Sequence, residues 1–155
     1  MRKFIAIIGT PSSGKTSYVT KLNAREVSVS PLGVRSYVIA FDSNSGEQHF
    51  RVGIFPSLRT VSWRSIDGVI IIIEKTRQDF LQQVKEYITK VEKQVNIPIV
   101  ICGSKYDQVD KEQQIEGKVY FDISSLDEYN LEKPFLFFSR HFNNNPDISF
   151  LRHKL

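Results

Sequence analysis

Apolar and polar positions alternate along this chain in two distinct periods. Phe4-Ile5-Ala6-Ile7-Ile8 and Val69-Ile70-Ile71-Ile72-Ile73 are unbroken apolar runs, as is Pro98-Ile99-Val100-Ile101-Cys102. Such apolar runs, the second of them wholly β-branched, mark central strands buried on both faces of a sheet. Val34 to Phe41 and His49 to Phe55 flank the turn cluster Asp42-Ser43-Asn44-Ser45-Gly46 and predict a hairpin. Val119-Tyr120-Phe121-Asp122-Ile123 predicts a sixth strand. The helical period appears at Phe80, Leu81, Val84, Tyr87, Ile88, Val91 and Val95. Lys15 to Ala24 is helix-compatible, and a last helix is predicted from near Pro134 to about Phe142, stopped by Asn143-Asn144-Asn145-Pro146. Strands alternating with helices predict an α/β domain: a mostly parallel six-stranded sheet, one antiparallel hairpin strand, and helices on both faces.

Residues 9–16, Gly-Thr-Pro-Ser-Ser-Gly-Lys-Thr, interrupt this pattern between the first strand and the first helix. They match G-x-x-x-x-G-K-[ST], the loop whose backbone N–H groups surround a phosphate at a helix start. In that pattern Lys15 reaches the β- and γ-phosphates and the Thr16 hydroxyl serves Mg²⁺; Ser12, Ser13, Gly14 and Ser17 complete the phosphate cradle. Strand, spacing, Lys and Thr together define a nucleoside triphosphate site. They leave the base and the reaction open.

Composition narrows the remaining choices. A chain of 155 residues with 41% hydrophobic and 25% charged residues suits one soluble domain spanning residues 1–155. The net charge of +4 is mild and reads as a solvated surface, with no direct nucleic-acid binding expected. The one cysteine, Cys102, closes an apolar run and is expected to be a buried, inert thiol. No run reaches the length of a membrane span, no secretory leader is expected before the first strand, and the C-terminal residues carry no lipidation cysteine. The expectation is a protein of the cytoplasm, the nucleus or both. His49, His141 and His153 show no metal spacing.

In an open parallel sheet, ligands lie beyond the carboxyl ends of the strands. There the fifth strand leads into Gly103-Ser104-Lys105-Tyr106-Asp107 and the sixth into Ser124-Ser125-Leu126. These segments resemble the guanine-reading N-K-x-D and S-A-K motifs of small GTPases. An Asp107 carboxylate can accept from the paired N1 and N2 donors of guanine, which adenine lacks. The Lys105 stem can pack along the base, and the Ser125 N–H can donate to O6; Ser104, Ser124 and Leu126 complete the expected base contacts.

The likeness sharpens toward Ran, the small GTPases of nuclear transport. Asn96-Ile97-Pro98-Ile99-Val100-Ile101-Cys102-Gly103 is similar to the Ran approach to the base motif, and Leu32-Gly33-Val34 to its first switch. Tyr120 to Ser124, then Tyr129-Asn130-Leu131-Glu132-Lys133-Pro134-Phe135-Leu136, resemble the last strand and helix. The resemblance covers nearly the whole chain. It implies a Ran-type fold, bound GTP or GDP, and partners among importin- and exportin-type receptors or Ran regulators; Mg²⁺ is possible but weakened, because the metal site keeps Thr16 and lacks its usual partners.

The departures from Ran fall on the catalytic parts. Pro31 stands where the first switch carries a threonine that senses γ-phosphate and ligates Mg²⁺. Ile54-Phe55-Pro56-Ser57-Leu58 replaces D-x-x-G-Q, whose glutamine orients the attacking water. Both switch stretches and the connection after Asp107 are shorter than in Ran, and the aromatic flanking guanine is missing. Ser104 replaces Asn, Leu126 replaces Lys, and Pro11 removes a loop N–H. The extended acidic Ran tail is not matched. The expected protein is a degenerate Ran-like nucleotide binder with no catalytic residue, acting through protein contacts. Three alternatives stand beside it: a working GTPase with rewired loops, a P-loop kinase or ATPase using Glu74 as its acid, and a fold kept for protein binding with an empty pocket.

Overall fold

A computed structural model describes residues 2–105, 115 and 117–151. The strands are β1 (Lys3–Gly9), β2 (Arg25–Val29), β3 (Arg35–Ser43), β4 (Gly46–Ile54), β5 (Gly68–Glu74), β6 (Ile99–Ser104) and β7 (Val119–Asp122). The helices are α1 (Lys15–Lys21), α2 (Phe80–Glu92) and α3 (Lys133–Phe142). All seven strands form one sheet in the order β2-β3-β4-β1-β5-β6-β7. The ladders β4-β1-β5-β6-β7 are parallel, while β3 runs antiparallel to both of its neighbours. The α/β class and hairpin expected from sequence are present.

The sheet has one strand more than the hydrophobic pattern predicts. Arg25-Glu26-Val27-Ser28-Val29 forms β2 at the sheet edge, exposed along its whole length and bulged between Glu26 and Ser28. An edge strand with neither face buried leaves no period-two signature to read. The first helix is also shorter than expected, because Asn23 turns left-handed (φ 59°) just beyond it.

Two apolar layers sandwich the sheet. On one face α1 and α3 bring Tyr18, Phe135 and Phe138 onto Ile5, Ile7, Ile70, Ile72 and Val52. On the other, α2 packs Phe80, Val84, Ile88 and Val91 onto Ile8, Ile71, Ile73 and Ile101. β1 lies centrally with β4 on one side and β5 on the other, so the chain leaves its carboxyl end at the point where strand order reverses. Crevices that hold ligands form at such points. Close packing enforces this geometry. A Cβ on Gly9 would lie 1.9 Å from the Ile72 carbonyl oxygen, so only glycine lets the end of β1 meet β5 there.

Candidate nucleotide site

The loop from Gly9 to Thr16 sits at that crossing. Ser12 (φ 61°) and Gly14 (φ 94°) are both left-handed, and Gly14 leads directly into α1. Alternating turns of this kind aim successive N–H groups into a common concavity suited to anions. The Ser13 N–H bonds the Thr10 carbonyl at 3.3 Å and closes the loop on itself. Lys15 arches back over it: Nζ donates to the Thr10 carbonyl at 2.8 Å, the Gly9 carbonyl at 3.3 Å and Ser13 Oγ at 3.5 Å. Partial burial lowers the Lys15 pKa from its ordinary value, but neutral oxygens only partly satisfy an ammonium. An anion within the loop would complete its coordination.

A cleft of about 230 Å³ opens beside the loop, lined by Ser13, Gly14, Ser17, Ser104, Lys105, Ser124, Ser125 and Leu126. It joins three segments far apart in sequence, the loop and the carboxyl ends of β6 and β7. Lys15, Thr16 and Ser12 stand next to it in the loop, outside its lining; Thr16 and Ser12 are exposed. Asp107, the residue expected to read guanine, lies outside the described residues. Thr10 Oγ1 and Ser104 Oγ are buried hydroxyls without a hydrogen-bond partner. Ser104 lines the cleft, while its hydroxyl itself is closed to solvent. The donors, the lysine and the shape fit a phosphorylated, hydrogen-bonding ligand.

The base end has features that the motif did not foresee. Lys105 is left-handed (φ 60°), and its Nζ pairs with Glu74 Oε1 at 3.2 Å. Glu74 also accepts from Thr76 Oγ1 at 2.7 Å; that bond and Lys105 hold its pKa below the ordinary value. Its carboxylate is therefore engaged beside the base loops. Leu126 is 79% exposed at the rim. The Ser124 loop closes on Tyr129 through paired backbone bonds, Ser124 N to Tyr129 O at 3.2 Å and Tyr129 N to Ser124 O at 2.9 Å.

The segments in the two switch positions are built differently. Ser30-Pro31-Leu32-Gly33 is a tight turn joining β2 to β3: Gly33 N donates to Ser30 O and Ser30 N to Val34 O, both at 2.9 Å. Val34 N bonds Ser30 Oγ at 3.1 Å, and Gly33 adopts φ 83°. This is a three-residue hairpin loop with a left-handed last residue. Beyond β4, Ile54 belongs to one core layer and Phe55 to the other, where Leu58 packs too. Ser57 begins a short 3-10 turn over Leu58–Thr60. Among the described residues, no group of three or more His, Cys, Asp and Glu side chains could hold a metal ion. A Mg²⁺ ion coordinated mainly by phosphate oxygens and water would draw on Thr16.

Sheet order, loop geometry and cleft together define a phosphate-loop nucleotide-binding domain of small-GTPase architecture. The chain belongs to the Ras family, whose family model matches residues 4–144. It is thus a GTP-binding small-GTPase domain, and family membership carries guanine-nucleotide binding with it, usually with Mg²⁺. Among the described residues, no helix is long and apolar enough to cross a membrane.

Proposed function

We propose that this protein is a Ran-like member of the family that holds guanine nucleotide without using it as a timed switch. In this reading Lys15, Ser12, Ser13, Gly14, Thr16 and Ser17 hold the phosphates, and Thr16 holds Mg²⁺ when the ion binds. Ser104, Lys105, Asp107, Ser124, Ser125 and Leu126 surround the base. One observation carries the reading: in the stretch that should sense γ-phosphate and position water, Ile54 and Phe55 are core residues and Leu58 packs partly buried against the core, while Pro56 and Ser57 are exposed. Ile54 and Phe55 are buried, and the Leu58 side chain can neither donate nor accept a hydrogen bond. The hairpin loop at Pro31 supports it, because its order comes from its own backbone bonds.

A nucleotide bound this way is a structural ligand, and the protein acts by presenting a surface to partners. The Ran-like segments point to importin- or exportin-type receptors or Ran regulators, met in the cytoplasm or nucleus, with this chain working in or against transport. The test has two steps. Mass analysis of nucleotide released from the purified protein should find GDP or GTP; ATP would favour the kinase alternative, and no nucleotide the empty scaffold. Single-turnover assays with labelled GTP and Mg²⁺ should then show no phosphate release, with or without an activating protein. Release at the rate of an unassisted small GTPase would identify a remodelled but working active site.

A further inference from the structure

Beneath the base end of the cleft lies a buried ionic link. Lys75 follows directly on β5, and its side chain is 3% exposed. Its Nζ meets Asp122 Oδ1 at 2.9 Å, and Tyr120 Oη donates to the same oxygen at 2.7 Å. Lys75 lies at the end of β5 and Asp122 at the end of β7, so the link spans β6 between them. Gly103 of β6 makes the crossing possible: a Cβ there would lie 2.0 Å from Tyr120 Oη and 3.3 Å from Asp122 Oδ1.

Lys75 touches both base loops at their roots. Its backbone N–H bonds the Ser104 carbonyl at 3.0 Å, so its main chain holds the first loop. Its side chain holds Asp122, from which the second loop departs. Asn130 Nδ2 donates to the Asp122 carbonyl at 3.0 Å, and Ser124 Oγ accepts from Asp127 N at 3.1 Å, which closes that loop. Strand β7 has four residues and, among the described residues, pairs only with β6 at the sheet edge, where local opening is easiest. A buried ion pair contributes little net stability, since desolvation offsets attraction, but it specifies one arrangement of what it joins.

We propose that Lys75 is a positioning residue for base recognition: through Asp122 it sets the separation of the Ser104–Lys105 and Ser124–Leu126 loops. The proposal rests on the guanine-nucleotide reading of the cleft. Two ligands separate its effect from a general loss of structure: GDP, which engages both ends of the site, and inorganic tripolyphosphate, which engages only the phosphate loop. Lys75→Met should weaken GDP about tenfold and leave tripolyphosphate within twofold of wild type. Asp122→Asn, a milder change of similar shape, should give the same selective loss and covers the case in which Lys75→Met does not fold. Equal losses for both ligands, or none, would overturn the proposal. Amide exchange without added nucleotide provides a second measurement, independent of ligand. Lys75→Met should speed exchange across residues 123–130 relative to wild type, and unchanged exchange there would refute the link. If wild type itself fails to bind GDP, the nucleotide reading falls while the exchange result still decides the role of Lys75.

Discussion

The phosphate loop and the two segments beside it are held by opposite means. The loop is polar: left-handed residues, an arched lysine and a buried hydroxyl without a partner. It is stable as a loop yet incomplete as a set of hydrogen bonds, which suits a ligand site. The neighbouring segments are complete in themselves. Ser30 to Val34 satisfies its own turn, and Ile54, Phe55 and Leu58 give their side chains to the core. A segment that already satisfies its own bonds gains little from a phosphate contact. Under the function proposed here, binding and switching are separable properties of this architecture, and the loop keeps the groups that binding needs.

The strongest way to break this contrast is to remove the loop's charge. Lys15→Ala should weaken guanine nucleotide by roughly 100-fold or more, because charge-assisted bonds contribute about 3 kcal/mol. Titration with a fluorescent guanine nucleotide measures it, and equal affinities in wild type and variant would remove the loop from the site. Gly9→Ala attacks the same region through packing. Its Cβ meets the Ile72 carbonyl, a backbone atom with no room to yield, so urea unfolding should show a loss of about 3 kcal/mol.

Smaller effects are expected on the other side of the contrast. Gly33→Ala meets only Pro56 Cγ at 3.7 Å, so it adds backbone strain without a clash. It should cost about 1 kcal/mol in unfolding free energy and leave nucleotide affinity unchanged. The smallest expected effect is the difference between nucleotides. GDP and a non-hydrolysable GTP analogue should bind with affinities within about threefold, since a ligand without differential contacts shifts no equilibrium. Amide exchange over residues 27–34 and 54–66 should match in the two complexes. A large difference confined to those segments would reveal a live switch.

Legibility from sequence followed burial. The β-branched run Val69–Ile73 announced β5, and the 3.6-residue period announced α2, because both elements are tied to the core. The phosphate loop was legible for another reason: its backbone path demands particular residues at fixed spacing. β2 was not, since all its side chains meet solvent. Nor was the stretch after α3 read beyond its helix stop. Asp147 and Ser149 there bond Asn44 of the β3–β4 turn, and Phe150 stacks on Phe41 at 4.5 Å, a docking that depends on partners about a hundred residues away. The Lys75–Asp122 pair was invisible for the same reason; a lysine after a strand looks like solvated surface until the fold sets a carboxylate opposite.

Cys102 lies in the middle of β6, wholly enclosed, and burial with the nearby Asp122 carboxylate pushes its thiol pKa well above the ordinary value. The thiolate is the reactive form, and here it forms only when the sheet parts. The molecule therefore carries an internal stopwatch for its own opening. With one cysteine in the chain, every labelling event by a thiol reagent reports the same place. If a tightly held nucleotide keeps β6 closed, labelling should slow as occupancy rises, and a thiol reagent would time ligand release with no engineered cysteine.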